Sequence, residues 1–304
     1  MSIFNIFSFS TLWSPYFLIV LIVITCLYFY IIRISQKKSP AAEPIKTKES
    51  VYFISGIALV YLTMGSPLDV MSHIVFSAHM TQMAILFLIS PILIIRGVPG
   101  WAWRKFLIEN KVAAPVFRIL TKPILALLLF NGIFSFYHVP LIFDQVKTDF
   151  LLHGIYMIIL FLLAFCMWWP LINTVEEKTS LSGLRKIGYL LAASVLLTPA
   201  CALIIFSEVP LYLTYTDPSY WAEAMKLCLP MGISIADLGI TGPEMFNTMP
   251  LLDDQQLGGV LMKIIQEIVY GCVLASIFFS WYRQEQVAEK AEQEKTKLNP
   301  NYAE

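Results

Sequence analysis

Seven long apolar runs, separated by polar connections rich in proline, constrain this chain more than any other feature. Of its 304 residues, 58% are hydrophobic and 14% are charged, and the mean hydropathy is +0.70. Soluble domains carry roughly 25% charged residues, and about 20 apolar residues cross a bilayer as a helix. The sequence therefore predicts an all-α integral membrane protein, a bundle of seven transmembrane helices. The predicted spans are residues 13–32, 51–64, 74–95 (kinked by Pro91), 123–137, 150–171, 187–206 and 257–281. The second is short and crosses only if it is extended at either end.

The positions of lysine and arginine predict the orientation of the bundle. Eighteen of the 21 fall in residues 33–50 and 96–122, in the connection after the fifth span and in the tail, whereas Lys147 and Lys226 fall on the opposite side. The positive-inside rule then places the amino terminus outside and the carboxyl terminus in the cytoplasm. We expect residues 1–282 to form one transmembrane domain with a long outer loop at 207–255, and residues 283–304 to form a charged cytoplasmic tail.

Several function classes receive no support from the sequence. The net charge is zero, which gives no reason to expect a nucleic-acid partner. There is no glycine-rich phosphate loop, no Cys-x-x-Cys motif and no nucleophile elbow. The five cysteines are scattered, and four of them lie in apolar runs, which argues against a disulfide framework.

All four histidines fall on the predicted outer side of the membrane. His73 and His79 lie at the start of the third span, His138 ends the fourth, and His153 opens the fifth. Polar, metal-capable groups are costly in a membrane and are functional by default. We therefore expect these histidines to bind a metal or haem; the alternative for each is a hydrogen bond to backbone or water.

Helical spacing adds candidate ligands to the histidines. Met83 follows His79 by four residues and Met157 follows His153 by four, so each pair shares one helical face. Imidazole with thioether suits copper, and thioether favours Cu(I). Ordinary packing is the alternative for each methionine. Asp69 precedes His73 by four and could hold its imidazole in one tautomer.

Two further polar features each have a structural and a functional interpretation. Lys263 and Glu267 are four apart in the last span, and form either a structural pair facing the bundle interior or part of a pathway for an ion or proton. The outer loop contains an apolar run at 224–240, which predicts an interfacial or re-entrant helix, and irregularly spaced methionines that could capture copper. Those methionines are Met225, Met231, Met245 and Met249.

Several short segments together resemble one family, the CtaG assembly factors of cytochrome c oxidase, of the seven-span kind found in Gram-positive bacteria. The resemblance covers about residues 50–282. The most specific segments are Ala-His-Met-Thr-Gln at 78–82 and Pro-Leu-Leu-Asp-Asp-Gln-Gln-Leu-Gly-Gly at 250–259. The others are Ser-Pro at 90–91, Gly-Val-Pro at 97–99, Tyr-His-Val-Pro at 137–140, and His153 with Trp-Trp-Pro at 168–170.

The resemblance implies a non-catalytic protein of the bacterial plasma membrane that helps to make an active haem–copper oxidase and serves its copper centres. Its expected partners are oxidase subunits, a copper donor protein and membrane lipid. Ligand roles carry over only to the four histidines. Many relatives have histidine where this chain has Met83 and Met157, a departure that shifts the expected site toward softer ligands and Cu(I).

Two other functions remain open at this stage. A membrane cytochrome b would hold haem between two histidines, with His79 and His153 as axial ligands at matched depth. A copper transporter would need a polar pathway leading from the outer site toward the cytoplasm, for which Lys263 and Glu267 are the only candidates.

Overall fold

The computed structural model describes residues 3–38, 42–175, 181–228, 239, 242, 245–246 and 249–298, and these contain helices and no β-strand. The main helices are α1 (Pro15–Lys38), α2 (Thr47–Met64), α3 (Pro67–Ile74), α4 (Phe76–Gly97), α5 (Ala113–Leu120), α6 (Pro123–Tyr137), α7 (Pro140–Thr148), α8 (Phe150–Ile172), α9 (Gly183–Ile205), α10 (Pro218–Met225) and α11 (Leu251–Leu298). Short helical segments lie at Phe9–Trp13, Gly100–Trp103 and Leu213–Thr216. All five cysteines are free, as predicted.

Five continuous helical stretches in the described residues are long and apolar enough to cross a membrane. They contain α1, α4, α8, α9 and the first part of α11. Two bent pairs bring the number to seven if each pair is one span: α2 with α3, bent by 42°, and α5 with α6, bent by 77°. The short second span thus gains its length from α3. The predicted class, an all-α multi-pass membrane protein, is confirmed, whereas the orientation of its termini stays a prediction.

The third predicted span, residues 74–95, begins differently in the structure. Val75 is extended, with φ −132° and ψ 140°, and it separates α3 from α4. A carboxylate from the last helix stabilises this break: Asp254 accepts hydrogen bonds from the Phe76 backbone N–H at 2.7 Å and from the Ser77 hydroxyl at 2.5 Å. The Asp254 side chain thereby satisfies a helix N–H that has no partner within its own helix.

The last helix is longer than predicted at both ends. It begins at Leu251 instead of residue 257, and Asp253 and Asp254 lie in its first turn, where acidic side chains complement the helix dipole. It continues through the charged tail to Leu298. Near its start, a Cβ on Gly258 would lie 2.7 Å from the Phe76 ring. This glycine therefore allows α11 to approach α4 closely enough for the Asp254 contact.

Pro91 disturbs the third span where a kink was predicted. The helix widens into a π-helical turn at Ile85–Ile89, with the Ser90 N–H bonded to the Ile85 carbonyl. Proline has no N–H to donate to the carbonyl four residues before it, which is that of Phe87. The buried Trp168 indole of α8 donates to this carbonyl instead, at 3.1 Å. The irregular turn in α4 thus allows a hydrogen bond that connects α4 to α8.

Candidate functional site

The four histidines meet at one end of the bundle. His73 lies near the end of α3, His79 in α4, His138 directly after α6, and His153 in the first turn of α8. The ring centroids of His73 and His153 are 5.5 Å apart, and those of His79 and His138 are 6.1 Å apart. The structure therefore brings all four together, as two neighbouring pairs.

Each histidine has a buried ring nitrogen with no hydrogen-bond partner among the described residues. These atoms are Nδ1 of His73, Nε2 of His79, Nε2 of His138 and Nδ1 of His153. Buried polar atoms are almost always hydrogen-bonded, and exceptions need a specific explanation. Four such nitrogens at one end of the bundle are open to a further partner, such as an ion or a bound water molecule.

His138 has the clearest ligand geometry. Its Nδ1 lies 2.8 Å from the Phe134 carbonyl, which can only accept a hydrogen bond, so Nδ1 carries the proton. In a neutral imidazole the other nitrogen, Nε2, then carries a free lone pair. Histidines that bind metals generally donate their second N–H to a backbone carbonyl or carboxylate in this way.

Lys147, which was expected only as a charge on the outer side, lies inside this site. It is fully buried on α7, and its Nζ lies 3.5 Å from His79 Nδ1. Burial lowers the pKa of the Lys147 ammonium to about 8, against the opposing attraction of the Asp69 carboxylate. The buried residues Phe143, Asp144 and Lys147 have the spacing of one helical face. That spacing after Pro140 is the signal from which a buried lysine could have been predicted.

Asp69 has a different partner from the one expected. Its carboxylate accepts a hydrogen bond from Gln82 Nε2 at 2.7 Å, while Nδ1 of His73 has no partner. Gln82 also donates to the Thr63 carbonyl at 2.7 Å. The two hydrogens of one amide thus connect α4 to α2 and α3, and among the described residues no hydrogen bond from Asp69 fixes the tautomer of His73.

Aromatic side chains pack around the His79 and His138 rings. The Phe143 ring lies 5.2 Å from that of His79 and 6.1 Å from that of His138, and the Tyr137 ring lies 5.9 Å from His79. The Tyr212 hydroxyl donates to the His138 carbonyl at 3.0 Å. The Asp144 carboxylate accepts from the backbone N–H groups of residues 213 and 214, which fixes this connection over the site. The His79 and His138 imidazoles therefore lie among aromatic rings.

The methionines predicted as ligands lie in the apolar core. Met83 is fully buried and Met157 is 4% exposed, both within the main hydrophobic cluster. Among the described residues, no three His, Cys, Asp or Glu side chains form a group that could hold a metal ion. The site as it stands thus consists of histidine pairs and not of one converged centre of four ligands.

The haem and transporter alternatives each depended on one pair of residues, and the structure describes both pairs. His79 and His153, the expected axial pair, each have a different histidine as ring neighbour. Lys263 and Glu267 form the predicted ion pair at 2.9 Å, but the Glu267 side chain is 57% exposed. Their predicted position facing the bundle interior is therefore wrong, because the pair lies at the surface.

The outer connection is only partly within the described residues. Met225 is buried at the end of α10, Met245 packs against a small apolar cluster, and Met249 is exposed. Of the predicted helix at 224–240, the structure describes the end of α10 and a turn at Lys226–Cys228. Met231 and most of the rest of that run lie outside the described residues.

Comparison with known proteins identifies the family to which the chain belongs. No curated protein and no solved structure matches the chain. The family model described as cytochrome c oxidase caa3 assembly factor (Caa3_CtaG) matches residues 26–284, a stretch that holds every histidine and all the residues of the network around Lys147. Since this is most of the 304 residues, the chain belongs to the family of cytochrome c oxidase caa3 assembly factors.

Proposed function

We propose that this protein supports assembly of a caa3-type cytochrome c oxidase by binding Cu(I) at the buried histidine pairs and making it available to the oxidase copper centres. The single observation that carries the copper proposal is the set of four buried imidazole nitrogens without partners. The family carries the link to the oxidase. In this role the copper is cargo, and the protein is not an enzyme.

The pairwise arrangement favours Cu(I) over Zn(II). Structural zinc is almost always bound by four ligands in a tetrahedron, and the described residues offer no such group. Cu(I) accepts fewer ligands, and its preference for soft donors extends to thioether sulfur. We include Met83 and Met157 in the proposed ligand set as sulfur donors one helical turn beyond His79 and His153.

The chemistry of transfer follows from the position of the site. Lys147 places a basic group beside His79, so a bound cation is held less tightly than by the imidazoles alone. By the positive-inside rule this end of the bundle faces outward. Copper would arrive there from a donor protein and leave for an oxidase subunit.

The experiment that tests the proposal is complementation of a deletion strain. Cells that lack the protein should retain oxidase subunits, lose oxidase activity and keep growing on a fermentable substrate. The parent chain should restore activity, whereas a His79→Ala/His138→Ala variant present at equal abundance should not. Met262→Leu, a fully buried core change on α11, is the control that should restore it. Undiminished oxidase activity in the deletion strain would refute the proposal.

A further inference from the structure

An ion pair lies on the surface of the bundle within its membrane-spanning part. Lys263 and Glu267 of α11 are joined at 2.9 Å, with side chains 29% and 57% exposed. Lys263 also donates to the Thr198 hydroxyl at 3.2 Å, and the Ser194 hydroxyl donates to Glu267 at 3.2 Å. These contacts join α11 to α9 along a polar seam, and the seam is exposed on the side that faces away from the bundle.

The seam lies near mid-depth. Ser194 is the central residue of α9, a helix of 23 residues, so at about 1.5 Å per residue it lies roughly 17 Å from either end. Glu267 is bonded to Ser194 and therefore shares its depth. A charged side chain at the bilayer centre is costly and nearly always faces protein or water.

The described residues satisfy the exposed carboxylate only in part. An ionised carboxylate offers about four acceptor sites, and Glu267 uses its Oε1 atom for both Lys263 and Ser194. One turn further along α11, a Cβ on Gly271 would meet nothing within 4 Å. Small residues of this kind allow another transmembrane helix to approach closely. The surface therefore combines an unfilled acceptor with room for a neighbouring helix.

We infer that this surface, defined by Ser194, Lys263, Glu267 and Gly271, docks a transmembrane helix of an oxidase subunit that carries a hydrogen-bond donor at mid-membrane depth. The complementary group is a hydroxyl, an amide or a cation, because the open position is a carboxylate acceptor. A second copy of this chain fits poorly, since a two-fold interface would oppose Glu267 to itself. The inference goes beyond copper binding, because the surface lies apart from the histidine pairs and needs no metal.

Photocrosslinking in intact membranes tests this docking. A photoreactive amino acid replaces Ile268, beside the ion pair, and in a matched control it replaces Ile158 on α8; both side chains are 62% exposed. We expect a crosslink to an oxidase subunit at Ile268 at least tenfold stronger than at Ile158. In a Lys263→Leu/Glu267→Leu background the Ile268 yield should fall to that of the control.

Three outcomes would overturn the inference: equal yields at the two positions, a product consisting of two copies of this chain, and a yield unaffected by the double substitution. If the double variant fails to accumulate, Gly271→Leu replaces it, because the added side chain meets open space within this chain and blocks only a neighbouring helix. The Gly271→Leu protein should lose the crosslink and keep the copper content of the parent. That readout separates failure of docking from failure of the copper proposal.

Discussion

At the scale of single residues, the histidine nitrogens combine two properties that rarely occur together. They are buried, and they have no protein partner among the described residues. An unsatisfied buried polar group costs about 1–3 kcal/mol, and four of them make a considerable cost for one bundle. Binding a cation would recover that cost, which is the physical reason for proposing these imidazoles as ligands rather than as packing residues.

Replacement of Met83 by leucine separates packing from ligation. The change nearly conserves volume and should lower the free energy of unfolding by about 1 kcal/mol. Loss of the thioether should weaken Cu(I) binding on the order of tenfold, about 1.4 kcal/mol, measured by competition with a Cu(I) chelator. Met262→Leu, equally buried in the core, should bind Cu(I) like the parent. If Met83→Leu and Met157→Leu both keep the parent affinity for Cu(I), neither thioether is a ligand and the site consists of histidines only.

Replacement of Lys147 by methionine tests the cost of its buried charge. The pKa of Lys147 is about 8 in the folded protein and about 10.4 in an unfolded chain. Between these values the unfolded chain binds the extra proton, so stability rises with pH. The Tm of the parent should therefore increase relative to that of Lys147→Met from pH 8 to pH 10, in detergent-purified protein. A Tm difference that does not change with pH would show that the lysine is not desolvated.

At the scale of helices, breaks in the regular helical backbone position the histidine site. Val75 lets α3 and α4 turn between His73 and His79, and Asp254 stabilises that turn from α11. At the π-helical turn before Pro91, the Phe87 carbonyl accepts a hydrogen bond from the Trp168 indole. Uninterrupted helices would satisfy their backbone groups internally and provide fewer such ties.

A double-mutant cycle on Pro91 and Trp168 tests this account. Trp168→Phe leaves the buried Phe87 carbonyl without its donor and should cost about 1–3 kcal/mol from that loss alone. Pro91→Ala supplies an N–H four residues after Phe87, so the double variant should be less destabilised than the sum of the single variants. Denaturant unfolding in detergent micelles measures the coupling, which for residues sharing a partner is roughly 0.5–3 kcal/mol. Strict additivity would mean that the indole does not replace the missing N–H.

The sequence was sufficient to predict elements governed by hydropathy and insufficient for those governed by tertiary contacts. Helices α8 and α9 were predicted within a few residues, because lipid imposes one long apolar run on each. The early start of α11 depends on Asp254 bonding to a distant helix, which no local pattern reveals. Lys147 was missed although its spacing with Phe143 and Asp144 indicates one buried face of α7. The meeting of the four histidines was anticipated from their side of the membrane, but their pairing was not.

At the scale of the whole molecule, the asymmetry of lysine and arginine predicts that the histidine end of the bundle faces outside. A cysteine at Val209 should be labelled by an impermeant thiol reagent in intact cells, and a cysteine at Val112 should be protected until the cells are opened. Both positions are strongly exposed, at 61% and 84%, so access is set by the membrane and not by packing. The unsubstituted parent controls for its own cysteines. The reverse labelling would place the histidines on the cytoplasmic side.

The whole account depends on one property, the affinity of the histidine pairs for reduced copper. Copper per chain in detergent-purified protein, loaded with Cu(I) under anaerobic conditions and freed of excess metal, measures it directly. We predict stoichiometric copper in the parent and at least tenfold less in His79→Ala/His138→Ala, with both proteins eluting as folded at the same volume. Parent protein that retains no more copper than this variant would contradict the account.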